Sequence, residues 1–289
     1  MGKLGAMIMS DRTADNTQTR RPCVLVFAGH DPSGGAGIQA DIEAISAQGA
    51  HALPIITALT VQDHNRVYSV YPVAPEIIVA QARALLSAMP IHAIKFGIVG
   101  SRQNAEAIAD FVREVLASRM ALPEKANTNL PVVLDPVLAS GAGQRLAVDE
   151  ACAAIQPLLE VASLVTPNLP ELARLASFGS STAQKAQSLL GGTVFDVLVK
   201  GGHADDEAVI NRWFSVDFPG EEKQWSWRRL GGSFHGSGCT LAAAIAGQLA
   251  FGRPLEQSLL RAQSYTQSAL QSAYSVGEGQ LMPNRFRCL

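Results

Sequence analysis

The chain has 289 residues, 47% of them hydrophobic and 17% charged, with a formal net charge of −2. This length supports a sizeable buried core, and the composition excludes a disordered polymer. The near-neutral charge gives no electrostatic case for nucleic acid or an anionic membrane surface, and no apolar run is long enough to span a bilayer.

Residues 1–21 read as a flexible polar tail, with Met7 and Met9 as alternative starts. Met-Gly opens like a myristoylation site, but Ala6 stands where Ser or Thr is needed. From Pro22 the remaining residues, 22–289, read as one domain that alternates short apolar runs with helical patterns. CVLVF (23–27) is a buried-type strand. GIQADIEAISAQG (37–49) places Ile38, Ile42 and Ile45 on one helical face and ends at Gly49. ALPIITAL (52–59) is the next strand, and Pro75 starts a helix through Ala88. AIKFGIV (93–99) predicts a strand and NAEAIADFVREVLAS (104–118) an amphipathic helix. ALPEKANTNL (121–130) is a surface connector. PVVLDPV (131–137) is a strand, VDEACAAIQPLLEV (148–161) a helix and SLVTP (163–167) a strand. Thr182 to Leu190 is helical, and VFDVLVKGG (194–202) is a strand and turn. NRWFSVDF and KQWSWRRL form an antiparallel pair near a sheet edge. Two helices close the chain, Cys239–Ala250 and Leu255–Tyr274. This alternation predicts an α/β fold with a mainly parallel central sheet and helices on both faces. Such sheets bind ligands at the carboxyl ends of their strands.

The four cysteines (Cys23, Cys152, Cys239, Cys288) include no C-x-x-C pair, which argues against a structural zinc site or a disulfide scaffold and fits a reducing cytosol. Two glycine-rich loops stand out. AGHDPSGGAGIQAD (28–41) contains Gly35-x-Gly37-x-x-Ala40, which matches a dinucleotide fingerprint, with Asp63 as a downstream acid. That fingerprint wants its glycines directly after the strand, and here Gly29 to Gly34 intervene. Bare backbone lying against a small ligand is the better reading, with a glycine turn that serves only close helix–strand packing as the alternative. Asp41, one turn into the helix, is expected to accept hydrogen bonds from an amine-bearing ring; a first-turn acid that only stabilises the helix dipole is the alternative.

GGSFHGSGC (231–239) frees several backbone N–H groups beside a helix start, which makes an anion hole suited to phosphate. The same field is expected to lower the pKa of Cys239. The residues alone leave open whether Cys239 faces a reacting hydroxyl, pairs with His235 as a nucleophile, or is a small buried hydrophobe. Asn168 and Glu171 share one side of a first helical turn, as a magnesium site or as a plain capping box. Lys200 ends a strand, either as a cation that reaches nucleotide phosphate or as an ordinary surface lysine, and Asp135 ends a very apolar strand, either as a metal or active-site carboxylate or as part of an Asp-Pro turn.

The order of AGHDPSGGAGIQAD, ITALTVQD, DPV, TPNLPEL, VKGGH and HGSGCTLAAAIA resembles the hydroxymethylpyrimidine/phosphomethylpyrimidine kinases of thiamine biosynthesis, members of the ribokinase-like superfamily. The resemblance runs from about Val24 to Ala273. It implies a ribokinase-like three-layer sandwich, commonly dimeric and cytoplasmic. It also implies phosphorylation of 4-amino-5-hydroxymethyl-2-methylpyrimidine, then of its monophosphate, with magnesium-ATP. By resemblance, Asp41 and Gln62 bind the aminopyrimidine, and Gly29, Ala36 and Val137 line its pocket. His235, Gly236, Ser237, Gly238 and Cys239 match the anion hole, with Cys239 at the catalytic position and His235 on the ATP side. Asn168 and Glu171 match the magnesium-associated motif, Asp135 an acid near metal and phosphates, and Lys200 a nucleotide-side lysine. The chain departs from the family pattern at His30, Asp63, Ile98, Ser233-Phe234, 140–146 and 277–283. A mobile loop is expected at Ser140–Gly143. Alternative readings are a pyridoxal or pyridoxine kinase, a non-catalytic pyrimidine-binding protein and a nicotinamide oxidoreductase.

Overall fold

The structure is a computed structural model that describes residues 20–121, 129–139, 147–204 and 207–286. The expected connector and the loop at 140–143 fall largely outside these residues, as does almost all of the expected tail. Strand β1 (Cys23–His30) lies in the interior of the sheet. Its Cys23, Leu25 and Phe27 enter one buried cluster, and its Val24, Val26 and Ala28 enter another on the opposite face. A strand covered on both faces must be apolar throughout, which is why CVLVFA is a continuous run rather than an alternating one.

β1 pairs in parallel with β2 (His51–Gln62) on one side and β4 (Ile91–Phe96) on the other. β5 (Val132–Leu134), β6 (Leu164–Val165) and β7 (Asp196–Val199) extend the parallel sheet. Both edges are antiparallel. β3 (Val67–Pro72) caps β2, and β8 (Ala208–Ser215) with β9 (Lys223–Arg228) follows β7. Among the described residues nine strands run in the order β3-β2-β1-β4-β5-β6-β7-β8-β9.

Helices α2 (Pro75–Ala88), α3 (Arg102–Met120), α4 (Ala151–Leu159), α5 (Leu169–Leu175) and α6 (Thr182–Gln187) pack against the Phe27 face. Helices α1 (Gly37–Ala47), α7 (Ser237–Leu249) and α8 (Leu255–Gln271) pack against the Val26 face. The result is the expected three-layer α/β architecture. Helix α7 is wrapped on most sides: Ala242 to Ala246 are all buried. Alanines there let α1, α8 and the sheet approach its backbone closely.

One strand departs from the sequence reading. The sequence reading assigns no element to 67–72, yet the stretch forms β3. Tyr68 and Tyr71 are exposed and Val67 and Val70 only half-buried, so neither face carries a clear apolar stripe. An edge strand of this kind is held by backbone pairing to β2 rather than by burial.

Candidate active site

The chain reverses direction in the sheet at β1, with β2 on one flank and β4 on the other. Crevices at such switch points bind ligands in open α/β sheets. Here the crevice is a cavity of about 590 Å³, lined by Gly29 at the end of β1 and Ile98 after β4. Strand β2 adds Thr60 and Gln62 with the period of two that a strand imposes, while Leu59 and Val61 face out.

The first glycine loop follows β1 and is organised by Asp31, which is 3% exposed. Its Oδ1 accepts from Ser33 N at 2.8 Å and Ser33 Oγ at 2.7 Å, and its Oδ2 accepts from Ala36 N at 2.8 Å. His235 Nε2 lies 2.8 Å from the same Oδ2. Burial opposes charge on Asp31, but hydrogen bonds from His235, Gln62 and Ser33 outweigh it. They hold the carboxyl well below the usual carboxylate range.

The second glycine loop runs into α7. Its Gly236 is the residue before the helix, with φ +72° and no side-chain cap. A Cβ at Gly236 would fall on the carbonyl oxygen of Gly35. The two loops therefore touch backbone to backbone, and only glycine permits both the contact and the left-handed φ. The first N–H groups of a helix have no intrahelical acceptor and carry its positive end. In α7 these belong to Ser237, Gly238 and Cys239, all of which line the cavity.

Three charged groups lie beneath that helix end. Lys200 Nζ donates to Asp135 Oδ1 at 2.7 Å and stands 3.8 Å from Glu171 Oε2. A Cβ added to Gly238 would sit 3.2 Å from the same ammonium. Burial opposes charge on Lys200, but Asp135 and Glu171 outweigh it and hold the ammonium above its ordinary range. Asn168 and Glu171 form a reciprocal capping box at the start of α5, with both hydrogen bonds at 2.8 Å. Their side chains also line the cavity, so the capping and site readings describe the same residues. Burial pushes the Glu171 carboxyl up to about 7; Lys200 opposes that rise and the charge of Asp135 adds to it.

Two expectations are corrected. The first concerns Cys239. The residue as a whole is half-buried, but its thiol lies on the inward side and receives a hydrogen bond from the Gly37 backbone. Burial pushes its pKa up to about 11 against the pull of Lys95, and Asp135 and Asp41 reinforce the rise. The helix end does not make it a thiolate. The second concerns Asp41, which does not reach the cavity. Asp41 is 0% exposed, and both of its oxygens accept from Lys95 Nζ at 2.8 Å. Burial disfavours a charged Lys95, but Asp41 outweighs it and keeps the ammonium above its ordinary range. Position 41 is the inward side of the first turn of α1, and a lysine in the facing strand claims it.

The cavity gathers the remaining residues singled out in the sequence: Gly29, Ala36, Gln62, Val137, Asp135, Asn168, Glu171, Lys200 and the run from His235 to Cys239. Asp63 instead builds the β2–β3 turn, accepting from Asn65 N, Arg66 N and the Tyr68 hydroxyl. It is not the acid of a dinucleotide site. The sequence reading missed Asp31 and Lys95. Lys95 had a signal, a single charge inside an apolar strand, which requires a buried partner.

The donor set bears on a divalent cation. Asp135 Oδ2 is buried with no hydrogen-bond partner. Among the described residues no three His, Cys, Asp or Glu side chains converge as a metal cage. Two carboxylates beside an anion hole fit magnesium, which is held by one or two carboxylates together with substrate phosphates and water.

The family model described as phosphomethylpyrimidine kinase matches residues 31–284. The hydroxymethylpyrimidine/phosphomethylpyrimidine kinase of Rhizobium meliloti (strain 1021) is 35% identical over 263 residues, covering 88% of this chain and 93% of its own. The solved phosphomethylpyrimidine kinase from Clostridium difficile 630 superposes with a TM-score of 0.69 at 28% identity, covering 87% of this chain and 100% of that one. The pyridoxal kinase from Staphylococcus aureus in complex with ADP superposes with a TM-score of 0.76 at 23% identity, covering 92% of this chain and 94% of that one. At that identity the second likeness shows the fold alone, which is ribokinase-like.

Proposed function

The chain belongs to the phosphomethylpyrimidine kinase family and is a small-molecule kinase; on that premise we propose that it phosphorylates 4-amino-5-hydroxymethyl-2-methylpyrimidine and then the monophosphate, for thiamine biosynthesis. ATP is the phosphoryl donor. The observation that carries this reading is the meeting, in one cavity, of an uncapped helix N-terminus, the Lys200 ammonium and the Cys239 thiol.

In the first step the acceptor hydroxymethyl oxygen forms the new O–P bond. The bond from the γ-phosphorus to the ADP oxygen breaks, and the hydroxyl proton is released. The transferred group rests at the amides of Ser237, Gly238 and Cys239, where the positive helix end and Lys200 stabilise its charge. Gln62, on the same strand as Thr60, faces the acceptor ring from β2. Cys239 is protonated near neutral pH, so it orients the acceptor oxygen and does not remove its proton. The loose transition state of phosphoryl transfer needs little help from a base. Asp135 and Glu171 would hold magnesium, which when bound neutralises phosphate charge.

The reading extends to three further points. Residues 22–289 act as one kinase domain. The protein works in the cytoplasm, a setting supported by the free thiols of Cys23, Cys152 and Cys239 among the described residues. It pairs as a homodimer, which light scattering of the purified protein tests.

The catalytic test is incubation with magnesium-ATP and, separately, the pyrimidine, its monophosphate or pyridoxal, with products identified by mass. Pyrimidine mono- and diphosphates are expected. Phosphate on pyridoxal alone would keep the phosphoryl-transfer site and overturn the acceptor. Pyrimidine binding without any product would overturn catalysis.

A further inference from the structure

Arg285 lies three residues past the last strand-like bridge of the chain, at Met282, yet it is 2% exposed. Each of its three guanidinium nitrogens donates a hydrogen bond, two of them at the contact between the two glycine loops. Nε donates to Thr240 Oγ1 at 2.9 Å, and Thr240 Oγ1 donates in turn to Gly236 O at 2.8 Å. One terminal nitrogen, Nη2, donates to Gly35 O, the same carbonyl against which Gly236 packs. The other, Nη1, donates to Glu43 Oε2 on α1 at 3.1 Å, which fixes the orientation of the fork. A single planar group thus bonds the acceptor-side loop directly and the phosphate-side loop through one hydroxyl.

We infer that Arg285 is a positioning residue for phosphoryl transfer: it sets the spacing between the acceptor loop at Gly35 and the anion hole at Gly236. This rests on the kinase reading of those two loops. The geometry explains why arginine is used. Reaching Gly35 O, Thr240 and Glu43 at once takes three donors diverging in one plane, and a lysine ammonium on a flexible stem does not hold that geometry. Spacing between reacting groups matters steeply, since misplacement by about 1 Å costs about 100-fold in rate.

The experiment compares wild-type protein with Arg285→Lys, Arg285→Ala and Thr240→Val, using Arg83→Ala, which breaks an exposed ion pair with Glu114, as the surface control. Two readouts are taken. The first is amide hydrogen exchange of the free protein over peptides spanning 33–40 and 233–241. The second is kcat and KM for the acceptor at saturating magnesium-ATP. Arg285→Lys is expected to speed exchange in both peptides, raise the acceptor KM and lower kcat/KM by about 10- to 100-fold. Added guanidinium ion should restore part of the activity of Arg285→Ala and none in the control. Unchanged exchange in both loops, or faster exchange with wild-type kcat and KM, would overturn the inference and leave Arg285 as a stabilising residue only. If Arg285→Ala does not fold, Arg285→Lys and Thr240→Val decide the matter. The exchange readout needs no substrate, so a wrong acceptor assignment would show as missing product from wild-type protein while the loop linkage is still measured.

Discussion

At Cys239 two effects oppose each other. The positive end of α7 favours a thiolate, an influence of about 0.3–1 kcal/mol at an ordinary helix terminus. Removal of water, with the neighbouring Asp135 and Asp41, favours the thiol, and it prevails. Alkylation of Cys239 by iodoacetamide should therefore be slow at pH 7 and still rise about tenfold per pH unit beyond pH 9. Peptide mass spectrometry measures this, and a plateau below pH 8 would contradict the account. Asp31 shows the reverse balance: hydrogen bonds hold its folded pKa down despite burial. Its contribution to stability is complete above the unfolded value of about 3.9 and is lost as pH falls through that value towards the lower folded one. Asp31→Asn should cost about 1–3 kcal/mol at pH 6 in urea unfolding, with the gap closing towards pH 2. An equal cost at both pH values would mean that the charge of Asp31 is not what the fold uses.

At the level of elements, the start of α7 differs from every start that a side chain caps. Helix α6 begins at Ser181, whose Oγ accepts from Gln184 N, and α5 begins with the Asn168–Glu171 box. Helix α7 has no such cap, which leaves its amides for a ligand. Gly236→Ala should cost about 1–3 kcal/mol from the left-handed φ alone, and should lower kcat by about 100-fold because the loop must retreat from Gly35. Ser181→Ala should cost about 1 kcal/mol and leave kcat unchanged. Thermal unfolding and steady-state kinetics on the two variants separate an ordinary helix start from a working one. A Gly236→Ala enzyme with full turnover would show that the contact between loops is dispensable.

On the scale of the whole molecule, the Asp41–Lys95 pair ties α1 to β4 in the interior, where both side chains are fully buried. Breaking one partner strands a buried charge. Lys95→Met is expected to cost about 3–5 kcal/mol, whereas Asp41→Leu with Lys95→Met should recover most of that. Denaturant titration of the single and double variants checks this, and additive losses would show that the pair does not act as a unit.

The layers, the mainly parallel sheet and the antiparallel pair at its far edge were legible because β1 and its neighbours are continuously apolar and the helices carry a regular apolar face. Strand β3 was not legible, since pairing to β2 and not burial defines it. The glycine loops, Lys200, Asp135, Asn168 and Glu171 were visible as residues suited to phosphate chemistry at strand ends. Where each side chain points was not visible. Local periodicity and glycine placement are written residue by residue, so the sequence alone determined the fold class, and the order of its motifs carried the resemblance to a kinase family. Only the tertiary structure decided that Lys95 takes Asp41 away from the cavity, that burial outweighs the helix end at Cys239, and that Arg285 joins the distant loops at Gly35 and Gly236. Those outcomes depend on desolvation and on contacts between distant segments, and both exist only once the chain is packed.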